Sequence, residues 1–342
     1  MNRNLPHDTI DHPRTAARGQ FTATVVENAA LCHEHWRLEL RVAGFGPSRA
    51  GQFIQVSCRD VRADYDRQTE RAWDGEHPVR LDGLELAGPV GFLRRPFSLA
   101  GRRDTPDGAI LTIIHRAIGT GTKWLSGLRV GDPVGILGPL GNHFEHPPAN
   151  GTAILVGGGV GIPPMLYLAA ELSGREAVVL CGALTRRMMP LTVRDVSEPD
   201  ALVPAGRIEE FARHGIGSIV TTDDGSYGYH GLVTAALEAH LDRLGIVPSA
   251  ADTAQGPNSS GARQPVIYTC GPEAMMRRVA QIAAGRGIEC QVAAEQAMAC
   301  GMGTCQSCVI RVKREAPAGQ RPWVYRLACT DGPVFRGADV AW

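Results

Sequence analysis

No charge imbalance marks this 342-residue chain, in which 35 basic residues meet 35 acidic ones. Without a net field, nothing in the composition draws it to nucleic acid or anionic lipid. Also missing is any apolar run near the ~20 residues that span a bilayer. The first twenty positions carry His7, Asp8, Asp11 and Arg14 and lack the apolar core of a secretory signal. They are expected to fray as an N-terminal extension over 1–20, on a cytoplasmic protein with neither nucleic acid nor membrane as partner. Nucleophile elbow, Walker loop, basic–aromatic patch and internal repeat are absent too. His33-Glu34-His35 lacks helical metal-ligand spacing and suits a solvated turn.

What the chain does have is cysteine, unevenly spread. Cys32, Cys58, Cys181, Cys270 and Cys290 stand singly, while Cys300, Cys305, Cys308 and Cys329 crowd toward the carboxyl end. A disulfide framework would span a small secreted domain, and this chain is neither small nor marked for secretion. The crowded set reads C-x4-C-x2-C, with the fourth cysteine twenty-one residues further on. That is the plant-type [2Fe–2S] spacing, three thiolates from one loop and one from a distant segment. Gly301 and Gly303 would let such a loop turn tightly through positive φ and aim N–H groups at sulfur. A structural zinc site is the rival, but zinc usually divides its cysteines two and two, as C-x2-4-C pairs.

Alternation of apolar and polar residues predicts short strands at 21–26, 36–42, 52–57, 110–117 and 133–137. These suggest a small antiparallel barrel. A charged interval at 59–88 has no periodicity and reads as an inserted surface loop. From 151 the character changes: buried-type strands at 153–156, 177–180, 218–222 and 266–269 alternate with helical segments at 163–172, 232–244 and 273–284. This rhythm implies a parallel sheet covered by helices. Residues 248–264, rich in Ala, Gly, Ser and Pro, interrupt it as an excursion. The expected fold is thus β plus α/β. An antiparallel flavin-binding barrel covers 21–148, a parallel nucleotide-binding α/β domain 149–292, and a small C-terminal [2Fe–2S] module 293–342.

Two segments suit a flavin and a nicotinamide. Arg95, Pro96, Phe97 and Ser98 open one strand; Ile114, His115 and Arg116 close another, followed by Gly121 and Thr122 ahead of a helix expected over 123–128. An arginine fork can pair with a pyrophosphate, an aromatic can lie against an isoalloxazine, and a helix start can hold phosphate. Each piece alone is ordinary, since Arg-Pro is a common strand entrance and Gly-Thr-Gly a common turn. Gly157, Gly159 and Gly161 then join a buried strand to a helix, though without the G-x-G-x-x-G fingerprint. Cys270, Gly271 and Pro272 end another strand, where parallel sheets bind ligands; the alternative is a buried thiol. Thr222-Asp223-Asp224-Gly225 ends a third, either bonding ribose or capping a turn.

Together the pieces RRPFSLAG, GTGTKWLS, LGPLGNHF, VGGGVGIPP, TTDDGSYGYHG, CGPEAMM and EQAMACGMGTCQSC…CTDGPVF resemble the ferredoxin–NADP reductase superfamily. More closely, the chain is similar to the electron-transfer subunits of type B (NAD-linked) dihydroorotate dehydrogenase, over about residues 20–340 apart from the two excursions. The resemblance implies FAD held by 95–98, 114–116, Gly121 and Thr122, four cysteines on a [2Fe–2S] cluster, and NAD as exchangeable substrate. It further implies an FMN-containing catalytic partner, in a two-plus-two heterotetramer. That partner oxidises dihydroorotate to orotate, in pyrimidine biosynthesis, and electrons pass from FMN through cluster and FAD to NAD⁺. Phe97 stands where this family often has Ile, and His115 where Tyr is usual; neither removes a charged contact. A related FAD/[2Fe–2S] reductase subunit, of a hydrogenase or of a ferredoxin:NADP⁺ oxidoreductase, shares this architecture and is the alternative. A redox-sensing or assembly protein without turnover is a third reading.

Overall fold

The computed structural model describes residues 18–61, 93–248, 265–317 and 319–342. The expected 1–20 extension up to 17, the 59–88 insert from 62 and the 248–264 excursion from 249 lie outside the described residues.

The expected antiparallel barrel is present. Strands β1 (Gly19–Cys32), β2 (His35–Ala43), β3 (Phe53–Val56), β4 (Arg95–Ser98), β5 (Gly101–Thr105), β6 (Gly108–Arg116) and β7 (Pro133–Leu140) form one sheet, ordered β4-β3-β7-β1-β2-β6-β5. Each neighbouring pair is antiparallel. Strands β4 and β5 lie at opposite edges, yet only Leu99 and Ala100 separate them. That gap reaches about 11 Å at full extension, so the sheet must curl until its edges meet. Alternate side chains fill the interior: Val25, Leu38, Leu40, Ile54, Leu111, Ile113 and Ile136 are fully buried. Helix α1 (Thr120–Ser126) links β6 to β7 and begins three residues before the expected 123. The Thr122 hydroxyl explains the early start, because it accepts the Gly119 and Ile118 N–H groups at 3.1 and 3.2 Å.

The second unit is the predicted nucleotide-type sheet. It has β8 (Thr152–Gly158), β9 (Ala177–Ala183), β10 (Gly217–Thr222), β11 (Tyr229–His230), β12 (Pro265–Cys270) and β13 (Glu289–Ala293), all parallel. Helices α2 (Ile162–Glu171), α3 (Glu209–Ala212), α4 (Val233–Arg243) and α5 (Glu273–Gly285) accompany it. Beyond it, β14 (Val309–Lys313) and β15 (Trp323–Leu327) form a hairpin, and β16 (Val334–Arg336) returns to pair antiparallel with β13.

The units share their core. Phe45 and Phe144 pack in one cluster with Met165, Tyr167 and Tyr268 of the nucleotide unit. Tyr167 donates to the Ser48 carbonyl at 2.6 Å, Tyr268 to the Glu145 carbonyl at 2.9 Å, and Glu171 accepts the Ala50 N–H at 2.8 Å. The C-terminal module docks equally tightly, with Phe53 and Leu140 of the barrel against Cys308, Ala328 and Cys329. Asn142 clamps the DGPVF segment. Its amide donates to the Asp331 and Val334 carbonyls at 3.1 and 2.8 Å and accepts the Val334 N–H at 2.8 Å. Asn142→Ala is therefore expected to cost about 2–3 kcal/mol. Hydrogen exchange should quicken over 327–336 in that variant; unchanged protection there would contradict the clamp.

Candidate functional site

The four C-terminal cysteines are gathered by the hairpin register. Val309 pairs with Leu327, and the Cys308 carbonyl accepts the Ala328 N–H at 2.9 Å, which sets Cys308 beside Cys329. Before them the loop turns through positive φ at Gly301 (70°), Gly303 (90°) and Gln306 (52°). As expected, this aims N–H groups at sulfur: Met302 and Cys305 each donate to Cys300 Sγ at 3.4 Å. Cys305 lies beside Cys300 and Cys329 beside Cys308, with Cys300 also close enough to act on Cys329. Among the described residues, no three His, Cys, Asp or Glu close on a point for one ion. Pairwise grouping suits a two-iron rhomb, in which each iron takes two protein thiolates. Cys308 and Cys329 are buried, whereas Cys305 is exposed with Sγ 3.2 Å from the Ser307 hydroxyl. That hydroxyl, then the Cys300 and Ser307 backbone, draws the Cys305 thiol down to about 6.

The segment expected to bind flavin runs from edge strand β4 to the end of β6, which β4 contacts. Arg95 is exposed, its guanidinium donating to the Leu93 and Arg94 carbonyls at 3.1 and 3.4 Å. Phe97 stands edge-on to His115, ring centroids 6.0 Å apart. Pro96 and Ser98 alternate to the opposite face from Arg95 and Phe97. Ile114 is buried, and Arg116 is held by Glu34 at 2.8–2.9 Å. Gly121 packs onto Cys58, since a Cβ there would lie 3.2 Å from the sulfur. His115 is 2% exposed, and neither ring nitrogen has a partner. Buried polar atoms are rarely left unpaired, so an orphaned ring beside the flavin segment fits a polar ligand. Burial, then the charge of His35, pushes His115 down to about 4. Because the folded value lies below the ordinary 6.5, the neutral ring is favoured, and stability contributed above 6.5 is lost as pH falls toward 4. In flavin-free protein this loss should reach about 3 kcal/mol and vanish in His115→Phe. Denaturant titration across that interval measures it, and an equal acid loss in the variant would refute the assignment.

Glycines of the second unit divide into two roles. Gly157 pairs with Cys270 across β8 and β12, so both strand ends meet. A Cβ on Gly161 would sit 2.1 Å from the Cys270 carbonyl oxygen, so this glycine allows strand and turn to touch. Gly159 (φ 54°) has nothing within 4 Å of its Cβ position and faces open space, where a diphosphate has room. Gly158 and Gly271 both close on Met275, and Pro272 caps α5. Cys270 is buried, its thiol pushed up to about 12 by burial and then by Glu295. The turn over Gly159–Gly161 also contacts β6, the strand ending in Ile114, His115 and Arg116. At Thr222-Asp223-Asp224-Gly225, Asp224 closes a turn by accepting the Ser226 N–H and hydroxyl at 3.0 and 2.6 Å.

Two polar residues escaped the sequence reading. Arg186 lies over the Tyr227 ring at 4.8 Å, bridging the ends of β9 and β10. Gln55 is fully buried on β3 with both amide atoms unpartnered; a lone polar residue in the run Phe-Ile-Gln-Val was its one signal.

A curled antiparallel barrel joined to a parallel nucleotide sheet is the ferredoxin-reductase fold, here with a cysteine loop appended. Residues 295–341 match the family model described as the iron-sulfur cluster binding domain of dihydroorotate dehydrogenase B. The chain is 31% identical over 271 residues to the "Dihydroorotate dehydrogenase B (NAD(+)), electron transfer subunit" of Caldanaerobacter subterraneus, covering 78% of this chain and 89% of that one. It is 36% identical over 253 residues to the subunit of the same name in Geobacillus kaustophilus, covering 73% and 80%. The chain belongs to this family of dihydroorotate dehydrogenase B electron transfer subunits. Among solved structures, an NADH-dependent reduced ferredoxin-NADP oxidoreductase aligns at TM-score 0.62 and 24% identity, over 94% of this chain and 90% of that one. A cytochrome P450 reductase from Amycolatopsis aligns at 0.53 and 24%, over 81% and 69%. Both likenesses speak for the fold.

Proposed function

We propose that this chain relays electrons between a catalytic subunit and NAD, in the oxidation of dihydroorotate to orotate, using FAD and a [2Fe–2S] cluster. One observation carries the reading. The nucleotide turn over Gly159–Gly161 contacts β6 of the barrel, while the cysteine module packs on β3 and β7, so the flavin segment stands between the two. A flavin held there would supply the exchange between the single electrons that a cluster passes and the hydride that NAD⁺ accepts.

The chain's own residues divide that work. Arg95 offers a charged fork to a pyrophosphate, and Phe97 and Ser98 present one ring and one hydroxyl to the flavin. Pro96, Ile114, Arg116, Gly121 and Thr122 shape that pocket, and His115 supplies a neutral imidazole. Gly157, Gly159, Gly161, Cys270, Gly271 and Pro272 receive the nicotinamide dinucleotide. Cys300, Cys305, Cys308 and Cys329 hold the cluster. We take the division as a barrel from β1 at Gly19, not 21, to 148, a nucleotide unit from 149 through the end of β13 at Ala293, not 292, and a cluster module from there to 342.

The name of the relatives points to a catalytic partner. We take it to be the FMN-containing subunit, joined two plus two. We place the chain in a reducing compartment, the cytoplasm, where thiolate ligands such as Cys300, Cys305, Cys308 and Cys329 are kept reduced. Among the described residues no helix is long and apolar enough to cross a membrane. The related ferredoxin:NADP⁺ oxidoreductase reading shares the fold but has less support, since the relatives above 30% identity carry the dihydroorotate name. Anaerobic purification tests the proposal. Flavin bands, about two irons per chain and bleaching by NADH are expected. Dihydroorotate turnover should appear only after the partner is added; turnover by the isolated chain would refute the assignment.

A further inference from the structure

Gln55 sits between the flavin strand and the cluster loop. On β3 it pairs directly with Pro96 of β4, so its side chain shares a face with Pro96 and Ser98. Phe53, two residues earlier on that face, packs against Cys308 and Cys329. The Gln55 carboxamide lies along Gly301, immediately after Cys300. A Cβ on Gly301 would fall 2.7 Å from Gln55 Cγ and 2.9 Å from Nε2. The side chain is 0% exposed, and neither Oε1 nor Nε2 has a hydrogen-bond partner. A core position flanked by buried Ile54 and Val56 would ordinarily take an apolar residue. The amide contrasts with Gln52, three residues earlier, whose Nε2 donates to the Gly141 carbonyl at 2.9 Å.

We propose that Gln55 is a positioning residue for electron transfer, its amide N–H donating toward the sulfur ligands held by the 300–308 loop and so raising the cluster's reduction potential. The inference rests on reading Cys300, Cys305, Cys308 and Cys329 as the cluster site. Three features support a donor role. The cluster loop must run over Gln55 at a glycine, because any other side chain at 301 would strike the amide. An amide carries two N–H donors, and donors to cluster sulfur favour the reduced, more negative state. The same face continues to Ser98, so the residue lies on the short route between flavin strand and cysteines.

The test uses the full chain, purified anaerobically with its FAD and iron. Gln55→Met keeps length and volume but removes the donor; Gln55→His restores a ring N–H at similar reach. At a fixed NADH/NAD⁺ ratio, the reduced-to-oxidised cluster ratio read by electron paramagnetic resonance should fall about tenfold in Gln55→Met, a shift of about 59 mV for one electron. It should return toward the parent value in Gln55→His, with the flavin midpoint unmoved in both. Loss of iron from Gln55→Met alone would support the same role. An unchanged cluster potential in Gln55→Met, a shift confined to the flavin, or iron loss from both variants would overturn it. Failure of the cluster reading itself looks different, since the parent chain would then hold no iron.

Discussion

Cys305→Ser is expected to lose at least about nine-tenths of its iron while keeping its flavin. The residue is the right one to change because it is exposed, with its Sγ against the Ser307 hydroxyl at 3.2 Å. Cys329 would be a poorer choice: it is 0% exposed and packed with Phe53, Leu140 and Ala328, so its replacement would disturb the docking of the module as well. Serine keeps the size of the side chain but is no thiolate at neutral pH, and three thiolates do not complete two irons at two apiece. The FAD elements sit on the barrel and make no use of Cys305. Flavin absorbance and NADH bleaching should therefore persist, whereas electron delivery from the partner should fall by at least about a hundredfold. Iron content unchanged in this variant would remove Cys305 from the ligand set. Flavin lost together with iron would instead show that the module holds the barrel's shape.

How far these sites could be read from sequence depended on whether a signal was local. Strand alternation, the helix after Gly161 and the positive φ at Gly301 and Gly303 are dictated within a few residues, and each appears as expected. Pairings between distant segments are not. Strand β16 joins β13 across more than forty residues, and a three-residue strand carries too little pattern to announce its neighbour. Asn142 looks like an ordinary turn residue in Leu-Gly-Asn until DGPVF folds back on it. The start of α1 moved by three residues because Thr122 caps the turn with its own hydroxyl, an effect that apolar periodicity does not register. Likewise the turn contacts of Asp224 with Ser226, two residues on, become visible only in the folded loop. The family resemblance points to a flavin segment at 95–98 and 114–122, but the orphaned His115 ring and Gln55 amide emerge only once burial is known.

Gly161→Ala should be a severely damaging single-methyl change in the nucleotide unit. Gly161 has an ordinary φ of −85°, so backbone preference is not the obstacle. The obstacle is space: a Cβ would meet the Cys270 carbonyl oxygen at 2.1 Å, its carbon at 2.2 Å and the Gly271 nitrogen at 2.4 Å, all backbone atoms of the neighbouring strand end. Backbone cannot rotate away as a side chain can, so β12 must separate from the turn that leads into α2. Overpacking of this kind costs about 3 kcal/mol. The movement opens the meeting point of Gly157 and Cys270, so the KM for NADH should rise at least about tenfold, with melting lowered by several degrees. Gly159→Ala provides the contrast. There the added methyl meets nothing, and the cost is the left-handed backbone at φ 54°, about 1–2 kcal/mol. That methyl would project into the space left for a diphosphate, so NADH affinity should drop more than stability does. If instead Gly161→Ala melts like the parent and binds NADH as well, the close approach of strand and turn is not what fixes the nucleotide site.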